Sequence, residues 1–273
     1  MAQTGQLTRV PATGGFRLSQ VAWLRIAILL TIIVVWEVTA RSGWLLREVV
    51  PSIVTIGRAL VELMGRPDLK VLVLGHEFWM PAFYWHLYVT VSEVAIALVI
   101  GGFSGLAVGL LLGANPFLSK AFERFLYYLG PTPKIVFFPV MIMWFGVGIE
   151  SKIAMGTLSC FFPIVLSAAA GMRQIESVLI RVGRSFRLNT RQMVTKIYLP
   201  AMREPIVNGV RLGMGVAMIG TLLAETKLSN KGIGFTIIDA YNTFDMPRMY
   251  AVLLTLFVIA IGANALVSRA SRG

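Results

Sequence analysis

Side chains that could bind a metal, attack a substrate or pass a proton are few and scattered in this sequence. Cys160 is the only cysteine and stands in an apolar run, so an intrachain disulfide or a cysteine metal site is excluded. His76 and His86 are ten residues apart. Helical ligand pairs sit one turn apart, so these read as ordinary loop or interfacial histidines. No G-x-x-x-x-G-K-[ST] phosphate loop, H-E-x-x-H or G-x-S-x-G elbow occurs. Charge inside the apolar runs is sparse, with Glu37, Glu93, Lys134 and Glu225 the groups that stand out. A proton-driven carrier or a membrane hydrolase generally uses more. These residues point to a passage rather than a catalyst.

The elements that must hold them are apolar helices. The chain is 56% hydrophobic and 14% charged, with mean hydropathy +0.76. Soluble domains carry about 25% charged residues, so the chain reads as an integral membrane protein. About 20 apolar residues cross a bilayer as a helix. Six such spans are expected: about 21–40, 88–112, a proline-broken third within 122–145, 152–171, 206–224 and 249–267. Val38-Thr39-Ala40 resembles a signal-cleavage site. The apolar run before it is longer than a signal core, so an uncleaved first span is expected. Gly101, Gly105, Gly109 and Gly113 form a stripe for close helix approach, and Gly209 and Gly213 repeat the pattern. Residues 41–87 read as a surface connection with an amphipathic patch over 53–64.

The net charge is +12. Basic loops beside apolar spans account for it, so lipid is the expected partner and nucleic acid is not. With the N-terminus inside, fifteen Lys and Arg fall on the cytoplasmic side and nine outside. That bias predicts cytoplasmic termini.

The densest basic stretch, Arg181–Pro200, holds Arg181, Arg184, Arg187, Arg191 and Lys196. With the residues just before it, from Ile175, it carries an apolar stripe of Val178, Val182 and Phe186, beside Leu179 and Gly183. This predicts an amphipathic helix too short to span. Asn189 with Gln192 three residues on predicts a capping box, and Pro200 is expected to stop the second short helix. A lipid-facing loop and a docking knuckle for a cytoplasmic partner both fit this pattern.

Arg181–Pro200 resembles the EAA loop of the membrane subunits of bacterial ABC importers. Arg181, Val182 and Gly183 stand at E-A-A, Arg187 at the glycine, and Ile197, Leu199 and Pro200 at I-x-L-P. Basic residues replace the Glu and the Gly, and the turn is expected to shift to Leu188-Asn189 because arginine lacks glycine's backbone freedom. PTPKIVFFPVMIMWFGVGIESKI (131–153), LLAETKLSNKGIGF (222–235) and Pro51-Ser52 are similar to the nitrate, sulfonate, taurine and bicarbonate branch. Glu93 departs from it, because relatives often have an arginine there.

The resemblance implies an all-α polytopic membrane protein with the type I importer permease fold. Its expected parts are a cytoplasmic tail (1–20), the first span and periplasmic connection (21–87), a core (88–268) with a coupling loop (175–200), and a tail (269–273). Its implied location is the bacterial inner membrane. The implied function is the channel-forming subunit of an ATP-driven importer for a small solute, of the sulfonate, taurine, nitrate, bicarbonate or aromatic-carboxylate class. This chain would bind no cofactor, and ATP–Mg would sit on a partner ATPase. The other partners would be a periplasmic or lipoprotein substrate-binding protein and a second permease copy. Expected coupling residues are Arg181, Val182, Gly183, Arg184, Ser185, Phe186, Arg187, Leu188, Asn189, Met193, Ile197, Leu199 and Pro200. Expected pathway residues are Phe138, Met141, Trp144, Met214, Met218 and Glu225. A membrane-embedded enzyme and a stand-alone carrier or channel are the alternatives.

Overall fold

The computed structural model describes residues 20–43, 49–73 and 76–270. Of the expected tails, 1–20 and 269–273, residues 1–19 and 271–273 lie outside the described residues, and Gln20 and residues 269–270 belong to helices. The chain divides into two units, 1–53 and 54–273. In the first, α1 (Gln20–Ser42) is apolar along its whole length. Its Glu37 carboxylate accepts from Arg41 Nε at 2.6 Å and from the Ile53 amide at 3.0 Å. An acid in an apolar run thus serves at the end of the span, where water and partners are available.

The second unit follows the apolar pattern closely. Helix α2 (Ile53–Gly65) occupies the amphipathic patch. The expected surface connection then forms a hairpin, with β1 (Leu69–Val73) paired antiparallel to β2 (His76–Met80). The spans are α3 (Ala82–Ala114), α6 (Ile149–Gln174), α10 (Arg203–Lys227) and α12 (Met246–Ala270). At 1.5 Å per residue, 25 residues reach about 37 Å, enough for a tilted crossing.

The third span is broken. Helix α4 (Pro116–Leu129) meets the segment Lys134–Phe145, which ends in α5 (Phe138–Phe145), at 94°. Pro131 and Pro133 cannot donate to a helical ladder, so the bend falls between them. Lys134 repairs the break: its Nζ donates to the Leu129 carbonyl at 2.9 Å and to that of Gly130, and lies 4.9 Å from the Phe162 ring. A cation on the orphan carbonyls of a helix end is favourable.

The core is built on α6, which is packed between α3 and α10. Both glycine stripes face it. A Cβ at Gly105 would fall 3.0 Å from the Phe161 carbonyl and 3.1 Å from Ile164, and one at Gly213 would fall 2.8 Å from Ile164. Without a hydrophobic drive in lipid, such backbone-close packing supplies the attraction between helices.

Candidate functional site

The basic stretch folds as a compact knuckle. Helix α7 (Ser177–Ser185) ends in a left-handed residue, Arg187, at φ 49°. The Leu188 amide donates to the Gly183 carbonyl at 3.1 Å, and the Arg187 amide donates to that of Arg184 at 2.9 Å. This pair is the Schellman helix stop. The turn therefore stays at Arg187 and does not shift to Leu188-Asn189. Asn189 is already committed to capping α8 (Thr190–Met193). Its Oδ1 accepts from the Gln192 amide at 2.8 Å, and Gln192 Oε1 accepts from the Asn189 amide at 3.0 Å.

Two further expectations change. Pro200 does not end the helix: a π turn at Val194–Tyr198 precedes it, α9 (Leu199–Ala201) continues, and the break falls at Met202. The wider turn gives the proline ring room against the carbonyl four residues back. Met193, expected among the docking residues, is buried; a Cβ at Gly183 would fall 3.2 Å from its methyl. It holds the two short helices together and is closed to a partner.

Phe186 is 76% exposed, while Val178, Leu179 and Val182 are also open. Arg181, Arg184 and Arg191 are exposed around them. At its base the knuckle is fixed by Met202, which is fully buried with Ala168 and Met172 of α6 and flanked by Ile175 and Tyr198. Sequence reasoning missed Met202 and Tyr198 because nothing in their local pattern names the helix they rest on.

At the far end of α10 a second turn is sealed by polar groups. Glu225 Oε1 accepts from the Thr90 hydroxyl at 2.7 Å, and Oε2 accepts from the Gly234 amide at 2.6 Å. Thr90 Oγ1 accepts from the Ile233 amide at 2.7 Å, and His86 Nδ1 from the Gly232 amide at 3.0 Å. Three successive amides at the start of α11 (Ile233–Asn242) are thus satisfied, with a carboxylate at the positive helix end. Glu93 and Lys152 are buried as well, and Lys152 Nζ donates to the Val147 and Gly148 carbonyls.

The expected pathway residues do not share one lining. Phe138 and Met141 are buried with Met155 and Ala224, and Glu225 is fully enclosed in its turn. Met214 and Met218 line an apolar groove against α3 and α12. Trp144 is 72% exposed on α5.

Apolar spans folded round α6, with a basic knuckle at one end of α10 and a sealed turn at the other, define a polytopic membrane transport subunit. The chain belongs to the family described as binding-protein-dependent transport system inner membrane component, whose model matches residues 97–272. Members are transport permease subunits of ABC importers, not enzymes.

The chain is 27% identical to a permease protein named for aliphatic sulfonate transport, SsuC of Bacillus subtilis, over 87% of this chain and 81% of the relative. It is 28% identical to the taurine transport system permease protein TauC of Escherichia coli, over 72% and 74%. It is 26% identical to the nitrate import permease protein NrtB of Synechococcus elongatus, over 64% and 63%. Its fold is similar to that of a chain of the inward-facing MetNI methionine ABC transporter, with TM-score 0.63 and 18% identity, over 70% of this chain and 95% of that one. The all-α, type I importer permease fold is therefore the fold of this chain, and among the described residues its strands are those of the short β1–β2 hairpin.

Proposed function

We propose that this subunit forms, with a second copy, the channel of an ATP-driven importer for a small anion. The names of the relatives, which refer to sulfonates, taurine and nitrate, support that substrate class. A separate ATPase dimer binds ATP–Mg and seats on the knuckle at 175–200. A substrate-binding protein delivers the solute from the other side. Both termini face the cytoplasm of a bacterial inner membrane, so the basic knuckle is internal and the Glu225–Gly234 turn external. Trp144 stands on the passage, on the helix that Phe138 and Met141 anchor against Met155 and Ala224.

The observation that carries this reading is the knuckle itself. It exposes an aromatic tip, Phe186, on a turn fixed by backbone bonds and footed on α6 through Met202. A rigid tip seated in a partner's groove transmits displacement to the helix bundle.

Copurification of the ATPase subunit tests it. Phe186→Ala should weaken association by about 2 kcal/mol or more, as truncating a buried interface aromatic does. Arg187→Gln should cost about 0–1 kcal/mol and matter mainly at low salt. Unchanged copurification with Phe186→Ala would show that the knuckle meets lipid instead. Orientation is checked with Asn230→Cys, an exposed position in a chain whose native Cys160 is buried. Labelling from the periplasm is expected; labelling only after the inner membrane is opened would reverse the topology.

A further inference from the structure

Arg211 stands inside the apolar part of α10, eight residues from its start. Its Nη2 donates to Ser268 Oγ of α12 at 2.8 Å, and its Nε is buried without a partner. Among the described residues no carboxylate pairs with it. Arginine keeps its charge in proteins, and an unneutralised cation within a span is costly. An anion bound beside Arg211 would neutralise it. Arg269, exposed beside Ser268 in the sequence, adds a second positive charge at this end.

The same face of α10 continues into an apolar groove of about 190 Å³. Arg211, Met214 and Met218 are spaced i, i+3 and i+7, so they form one row along the helix. Met214 and Met218 line the groove with Val94 and Leu98 of α3 and Ile259 and Ala263 of α12. The groove thus has an apolar body, and Arg211 stands one helical turn beyond its lining residue Met214, on the knuckle side. A soluble oxyanion would satisfy only the cation. A helix of a second copy would fill only the groove, unless it carried an acid.

We propose that this groove binds one anionic phospholipid, with an acyl chain along Met214, Met218 and Ala263 and its phosphate on Arg211. Arg211 is eight residues, about 12 Å, along α10 from its knuckle end, and a long basic side chain there can extend toward the headgroup layer. Placing the lipid in the cytoplasmic leaflet rests on the topology proposed above, but lipid retention does not depend on orientation. Failure of the two readings is therefore distinguishable.

The test is native mass spectrometry of the full chain released from nanodiscs of equal phosphatidylglycerol and phosphatidylcholine. The wild type should retain phosphatidylglycerol with about a five- to tenfold preference, the size expected of one basic side chain at a membrane surface. Arg211→Gln should abolish the preference, and Arg211→Lys should keep part of it. Ala263→Trp, which fills the groove and leaves the charge, should release lipid of both kinds. It decides the case should Arg211→Gln fail to fold.

Retention unchanged in Arg211→Gln, or in Ala263→Trp, would overturn the proposal. So would displacement of the lipid by millimolar inorganic phosphate or taurine, which would identify a soluble anion as the occupant. Retention lost only on formation of a cross-linkable dimer would assign the groove to a second copy.

Discussion

Arg187 and Gly232 each carry the chain out of one helix and into the next through positive φ, at 49° and 99°. The surroundings differ. Arg187 is exposed, and its side chain leaves the turn for solvent. At Gly232 a Cβ would fall within the space held by the Glu225 carboxyl group. The first turn tolerates any residue that accepts backbone strain. The second tolerates none with a side chain. An exposed turn can thus carry a residue other than glycine, whereas one that closes over a buried carboxylate cannot.

The largest expected effect follows from that contrast. Gly232→Ala combines an unfavourable backbone for an L-residue with displacement of a carboxylate that accepts two hydrogen bonds. Strain of about 1–2 kcal/mol and about 1–3 kcal/mol for buried groups left unpaired give a loss near 3 kcal/mol or more. Detergent-solubilised Gly232→Ala should show a sharply reduced folded yield in size-exclusion chromatography. Arg187→Ala should match the wild type within about 0.5 kcal/mol, as surface substitutions commonly do. Equal yields for Gly232→Ala and wild type would remove the distinction between the turns.

Next in size is Thr90→Val. Valine keeps the shape but removes the hydroxyl that accepts from Ile233 and donates to Glu225. An amide and a carboxylate oxygen each lose a partner at a buried site, at about 1–3 kcal/mol. The melting temperature of the purified subunit should fall by several degrees. Thr90→Ser, which restores the hydroxyl, should recover most of the loss. If Ser and Val melt alike, packing rather than hydrogen bonding holds the turn.

What could be read beforehand also differs between the two regions. The knuckle was legible where its interactions are local. The capping box of Asn189 and Gln192 spans three residues, and the apolar stripe of α7 repeats every four. The Glu225–Gly234 turn is closed by Thr90 and His86, 143 and 146 residues before the amides they receive. No local pattern could pair them, so the burial of Glu225 and its bonds to Thr90 and Gly234 were not legible in the sequence. The spans followed from hydropathy alone, and the prolines marked the 94° bend. The hairpin at 69–80 was missed because its apolar residues come in runs, without the alternation that signals a half-buried strand. The turn at Arg187 was misplaced for a different reason. A residue preference was weighed, but the commitment of the next residues to a cap was not.

Arg187→Gly is expected to have the smallest effect and to separate folding from docking. Glycine relieves the left-handed strain of about 1 kcal/mol. It also frees the unfolded chain, which offsets about 0.5–1 kcal/mol of that gain. The isolated subunit should therefore melt at the wild-type temperature or a degree or two above it. The exposed guanidinium is lost at the same time. If it pairs with an acid of the ATPase, association should weaken by up to about 1 kcal/mol, and the deficit should vanish at high salt. The two readouts are then expected to have opposite signs in one variant: stability unchanged or raised, copurification lowered at low ionic strength. Should the melting temperature drop instead, the side chain of Arg187 holds the Schellman turn through a contact of its own. The tolerance argued from its exposure would then fail at the very residue that suggested it.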